Sequence, residues 1–184
     1  NFGSRDVGRW GGVARVRFAG LTGMGDLTTA SFYSTPDFDE QQVVQLAHEF
    51  RVGGEGLRWG ASYTYAWTRP DIAAFPIKSK TQIASLFASY PVTLTQARRL
   101  TIGGGLDLID QDIGLGGVPI NRDRLRVFNL RADASWIDTG SVAGRDGFSP
   151  SEPRWALSTA LEARQGVNFL GASDNCGPGG ATCF

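Results

Sequence analysis

Between Leu57 and Thr68 (LRWGASYTYAWT) every second residue, Leu57, Trp59, Ala61, Tyr63, Tyr65 and Trp67, is apolar or aromatic. The residues between them, Arg58, Gly60, Ser62, Thr64, Ala66 and Thr68, are polar or small. Side chains alternate across a strand, so this one has a greasy face and a wet face. The greasy face carries Trp near both ends, and its length meets the roughly 9 to 11 residues that a lipid-crossing barrel strand needs. The pattern points to an outer membrane.

It recurs in eight other places. Ala14, Val16 and Phe18 alternate with Val13, Arg15 and Arg17, and Ala30 and Phe32 with Thr29, Ser31 and Tyr33. Val44, Leu46, His48, Phe50 and Val52 oppose Gln45, Ala47, Glu49 and Arg51; Ala84, Leu86, Ala88 and Tyr90 oppose Ser85, Phe87 and Ser89. Leu100 to Leu108, Phe128 to Trp136 and Leu157 to Ala163 repeat the pattern, and a short segment at residues 1–7 completes it. Nine candidate strands without a convincing helical period define an all-β chain, read as an antiparallel transmembrane β-barrel.

Charge narrows the function classes. Across 184 residues, 18 basic side chains balance 18 acidic ones and no basic patch is gathered, which argues against a nucleic-acid partner. No apolar run reaches the length of a transmembrane helix. Residues 1–10 lack the apolar core of a signal peptide, so the chain is expected to be an interior piece of a longer exported precursor.

Connections are expected to alternate in length. Residues 21–26 (LTGMGD), 53–56 (GGEG) and 93–99 read as tight turns, whereas residues 36–41, 69–80, 114–123 and the tail from Gly171 read as longer loops. Short turns on one side and long loops on the other suit a barrel whose short side is periplasmic. Residues 139–153 break the rule, being long on the short side.

Three motifs then resemble a family. Asn1-Phe-Gly-Ser4, Gly8, the strand from Arg9 to Phe18 and LTGMGD are similar to the start of barrels that follow POTRA domains. Phe50-Arg-Val-Gly-Gly-Glu-Gly-Leu57 resembles the P-L-G-x-D-G-L turn of two-partner secretion transporters, the TpsB or haemolysin activation and secretion family. Ser89-Tyr-Pro-Val92 with Gln96-Ala-Arg-Arg-Leu100 resembles that family's Y-P-[LI]-x-R-[ST]-R-x-x-N-L turn. Arg51, Val52 and Thr93 to Thr95 depart from these patterns, and no V-R-G-[YF] plug-loop motif occurs. The resemblance implies that residues 1–184 are the N-terminal half of a sixteen-stranded barrel, with about nine strands. POTRA domains, plug motif and C-terminal strands lie outside it.

The same resemblance implies transport without chemistry or cofactor: an outer-membrane pore of a Gram-negative cell that secretes a large partner exoprotein without nucleotide, its outside in lipid. The expected pore-lining residues are Arg15, Arg17, Gln45, Glu49, Arg51, Arg58, Asp107, Arg131, Asp133, Glu162 and Arg164. Each is also explained as the polar half of an alternating strand that only stabilises the wall. Cys176 and Cys183, close together in an exported loop, are expected to form a disulfide; too few further ligands stand nearby for a metal site.

No catalytic set emerges. His48, the one histidine, sits between Leu46 and Phe50 on an apolar face and suits an interfacial girdle, and no G-x-S-x-G elbow exists. The glycine clusters lack the Lys-Ser/Thr of a phosphate cradle; Gly103-Gly-Gly105 inside a strand marks a bend or a place where another backbone, such as a segment inside the pore, passes close. Two other readings stay open: an insertase of the same superfamily, and a soluble secreted β-sandwich binding module.

Overall fold

The computed structural model describes residues 10–70, 76–140 and 153–173. They form one antiparallel sheet of eight strands. These are β1 (Gly12–Ala19), β2 (Leu27–Ser34), β3 (Gln41–Val52), β4 (Leu57–Thr68), β5 (Ile77–Leu94), β6 (Arg98–Leu115), β7 (Val118–Ile137) and β8 (Ala156–Gly166). Each strand is bonded to its neighbours in the chain, so the order is a plain meander from β1 to β8. Eight of the nine expected strands are these; the ninth, at residues 1–7, lies outside the described residues.

The sheet has a single layer. Among the described residues no apolar side chain is buried, and Leu161, Leu130 and Leu86 stay 72%, 66% and 58% exposed. A water-soluble sandwich must cover one face of each sheet with another layer, and among the described residues none covers it. No described helix is long and apolar enough to cross a membrane, a statement that leaves strands out of account. Among the described residues β1 and β8 are the edges of the sheet, and together the eight strands form an unclosed section of wall.

Local chemistry sets the turns. At residues 20–26, Gly20, Gly23 and Gly25 take φ of 75°, 78° and 62°, a region that side chains disfavour. The Asp26 carboxylate then ties the turn together, accepting hydrogen bonds from the Thr22 backbone N–H at 3.0 Å and the Thr22 hydroxyl at 2.7 Å. The Thr22 hydroxyl bond holds Asp26 below the ordinary carboxylate value of 3.8; burial opposes it, and backbone N–H groups add to it. A depressed folded pKa means that this stabilisation is complete above pH 3.8 and is lost as pH falls through the lower folded value. In the folded full-length protein, amide exchange at residues 20–26 is therefore expected to accelerate selectively in acid. Thr22→Val should move that onset to higher pH; the same onset in both proteins would remove the Thr22–Asp26 bond as the cause.

One expected loop is corrected. Residues 114–123 are not a long connection: β6 runs to Leu115, β7 starts at Val118, and only Gly116 and Gly117 intervene. Both have positive φ, 58° and 90°, as the commonest two-residue hairpin turn requires. Pro119, which suggested a loop, is tolerated beside the irregularity in pairing at Ile113 and Gly114. β5, β6 and β7 consequently reach 18, 18 and 20 residues, about twice the length that crosses a bilayer.

Candidate functional site: the polar face of the sheet

Residues directly opposite one another in a ladder point to the same face, so the register assigns every side chain to a side. Glu49, Gly60, Phe87, Gly105, Asn129 and Arg164 form one row across β3 to β8, and Arg51, Arg58, Ser89, Gly103, Arg131 and Glu162 form the next on that side. Arg15 pairs with Ser31 and through it with Gln45; Arg17 leads through Thr29, Ala47, Ser62 and Ser85 to Asp107. Asp133 lies between Thr101 and Ala160. All the residues expected to line a pore thus share one face of the sheet.

On β7 and β8 their charges are locally matched. The Arg131 guanidinium donates two hydrogen bonds to Asp133, at 2.8 and 2.7 Å, and reaches Glu162 at 3.5 Å. Arg164 donates to the other Glu162 oxygen, which completes a four-membered chain with no net charge across β7 and β8. Asp107 accepts from the Ser85 hydroxyl at 2.7 Å and the Asn129 amide at 3.1 Å. Arg51 and Arg58 stand directly opposite, a like-charge pair moderated by Glu49 at 3.7 Å from Arg58. Such half-exposed pairs add little stability, and their consequence is a hydrated surface on which both signs of charge are interspersed.

Glycines on this face admit neighbours. The Phe87 ring lies over Gly60, where a Cβ would collide with it, and the Tyr33 ring lies over Gly11 in the same way. The Gly103–Gly105 run has a nearer explanation than a segment inside a pore: a Cβ on Gly105 would sit 2.7 Å from the Leu86 carbonyl oxygen, and one on Gly103 3.0 Å from that of Ala88. The backbone that passes close is that of β5.

The opposite face bears the apolar belt. The row Trp59, Ala88, Gly104, Leu130, Ala163 crosses its middle strands, with Tyr90 and Trp136 toward the short-turn end and Tyr65 and Trp67 toward the other. Aromatic residues flanking an apolar band are the girdles of a membrane barrel. His48 belongs to this face, its Nδ1 2.8 Å from the Thr28 hydroxyl and its ring 5.8 Å from that of Phe50. Cys176 and Cys183 lie outside the described residues.

Sequence reasoning missed where the belt ends. On the same face Lys80, Asp112 and Arg122 form one row with Trp67, and Gln82, Asp110 and Arg124 the next with Tyr65. Arg122 bonds Asp112 at 3.1 Å, and the largely buried Arg126 bonds Asp110 at 2.7 Å. The signal was present: the period of two continues through 78–82, 108–112 and 122–126, with charge replacing apolar residues.

Two motifs quoted for the family resemblance meet in space. The Tyr90 hydroxyl donates to Glu55 at 3.3 Å, and a Cβ on Gly56, whose φ is 87°, would touch the Pro91 ring at 3.0 Å. The GGEG turn and the Tyr-Pro segment are therefore one joint between adjacent hairpins.

A one-layer meander with an apolar belt, aromatic girdles and a polar reverse side has the architecture of a β-barrel wall. Among solved structures, the chain is similar to CdiB from Escherichia coli, with a TM-score of 0.75 and 14% identity over 96% of this chain and 32% of that one. It is also similar to CdiB from Acinetobacter baumannii, with a TM-score of 0.66 and 16% identity over 85% of this chain and 28% of that one. The chain thus has the fold of part of the CdiB barrel and spans about a third of those chains' length. No family model and no curated protein matches it.

Proposed function

We propose that residues 1–184 are the N-terminal part of the barrel of an outer-membrane two-partner secretion transporter, a non-enzymatic pore that passes one large exoprotein to the cell surface without nucleotide. The observation that carries this reading is the segregation of faces: the eleven polar residues named above line one side, while the other side is a girdled apolar belt suited to lipid. The likeness to CdiB adds to it, since CdiB proteins are two-partner secretion transporters of the TpsB kind. The meeting of Glu55 with Tyr90 adds a structural reason for two motifs of that family to occur together. On this reading the remaining strands, a plug motif and POTRA domains are supplied by flanking sequence of a Gram-negative precursor.

The test is secretion. The full-length gene product should fractionate with outer membranes, migrate differently on a gel before and after heating, and release its co-encoded exoprotein into the medium; an exoprotein retained in the periplasm despite a folded transporter would overturn the reading. The piece is expected to fail where the whole succeeds. The eight described strands leave the outer edges of β1 and β8 without a partner, and an open sheet exposes edges that pair wrongly. Purified residues 1–184 should give no steady ion conductance in planar bilayers, and steady conductance would show that the segment closes a pore unaided.

A further inference from the structure

We propose that the belt-side face at the outer end of β4 and β5 binds the phosphorylated headgroup of a membrane lipid, with Arg69, Lys78 and Lys80 receiving its phosphate; this rests on the outer-membrane reading above. A cavity of about 320 Å³ opens there, lined by Tyr65, Trp67, Arg69, Lys78 and Lys80 among others. The register fixes its height. Trp67 stands directly opposite Lys80, so the cation shares a level and a side with the girdle residue that ends the belt on β4. That is the level at which acyl chains give way to headgroups.

Charge complementarity selects the occupant. The two carboxylates of the adjoining strand on this face are already engaged, Asp112 by Arg122 at 3.1 Å and Asp110 by Arg126 at 2.7 Å. Arg69, Lys78 and Lys80 are exposed and form no ion pair among the described residues. Three exposed cations without an ion pair, of which Lys80 faces the already engaged Asp112, stand beside two aromatic rings whose centroids are 5.2 Å apart, and offer an anion a seat and its acyl chains a surface to lie on. A lumen-directed substrate would not meet this face, and a lipid already does.

The experiment titrates the purified full-length protein, in neutral detergent, with bisphosphorylated lipid A and reads bound lipid by native mass spectrometry. The variant Arg69→Gln/Lys78→Gln/Lys80→Gln should bind at least about tenfold more weakly, since each cation near a charged headgroup contributes additively. Lys78→Arg/Lys80→Arg should bind as the parent does. Lipid A stripped of both phosphates should bind the parent as weakly as intact lipid A binds the triple variant. Equal binding of intact lipid A by parent and triple variant, or indifference to the phosphates, overturns the proposal. Displacement by millimolar inorganic phosphate also overturns it, because the site would then be for free anion. Secretion is scored separately: a triple variant that loses lipid A yet exports the exoprotein supports this site, whereas a parent that fails to export sinks the transport reading and leaves the titration to judge the lipid.

Discussion

Replacing Leu130 by arginine is expected to cost the full-length protein about 2–4 kcal/mol in a bilayer, the penalty for a cation at the midplane of a barrel's lipid face. Leu130 is 66% exposed and lies in the row that crosses the belt between Gly104 and Ala163. On a water-soluble protein, such a substitution at an exposed site stays within about ±0.5 kcal/mol. Large cost and near-neutrality are thus opposite forecasts from one side chain, and the surrounding medium decides between them. Ile120→Arg provides the comparison, because Ile120 is 60% exposed beside the two-glycine turn, beyond the belt. Urea titration of both variants folded into lipid vesicles should show a large loss for Leu130→Arg and a small one for Ile120→Arg. Two small losses would remove the belt from β7.

Gly105→Ala is expected to be the most damaging of the small glycine changes on the polar face, at about 1–3 kcal/mol for overpacking. The obstacle is backbone: the Leu86 carbonyl oxygen would lie 2.7 Å from the new methyl group, with the Asn129 side chain 3.2 Å away. β5 cannot retreat without giving up its ladder to β6. Gly60→Ala meets only the Phe87 ring, which has rotamers to use. The two cases separate in double-mutant cycles. Phe87→Ala should restore most of what Gly60→Ala loses, whereas Asn129→Ala should restore little of what Gly105→Ala loses. Rescue of Gly105→Ala by Asn129→Ala would move the obstruction from backbone to side chain.

The faces of the strands were legible because alternation is a local property: Arg15, Glu49, Asp107 and Glu162 fall on one side in any register that keeps apolar residues together. The length of β6 and β7 was not legible. Gly116, Gly117 and Pro119 carry loop composition, and only the positive φ of both glycines turns them into a tight hairpin. Register was also hidden, and with it every cross-strand partnership. Nothing near Gly60 in sequence names Phe87, nothing near Trp67 names Lys80, and Glu55 and Tyr90 are separated by all of β4.

The want of a buried apolar core among the described residues bears on how much sequence such a wall must keep. A packed interior constrains each side chain by the shape of its neighbours, whereas a belt in lipid asks only for an apolar residue at every second position. Leu, Val, Ala and Phe become nearly interchangeable there, and the durable constraints shrink to register, glycine contacts and a few turn bonds. A wall built this way needs few fixed letters to hold its path, and this chain has the fold of part of the CdiB chain from Escherichia coli at 14% identity.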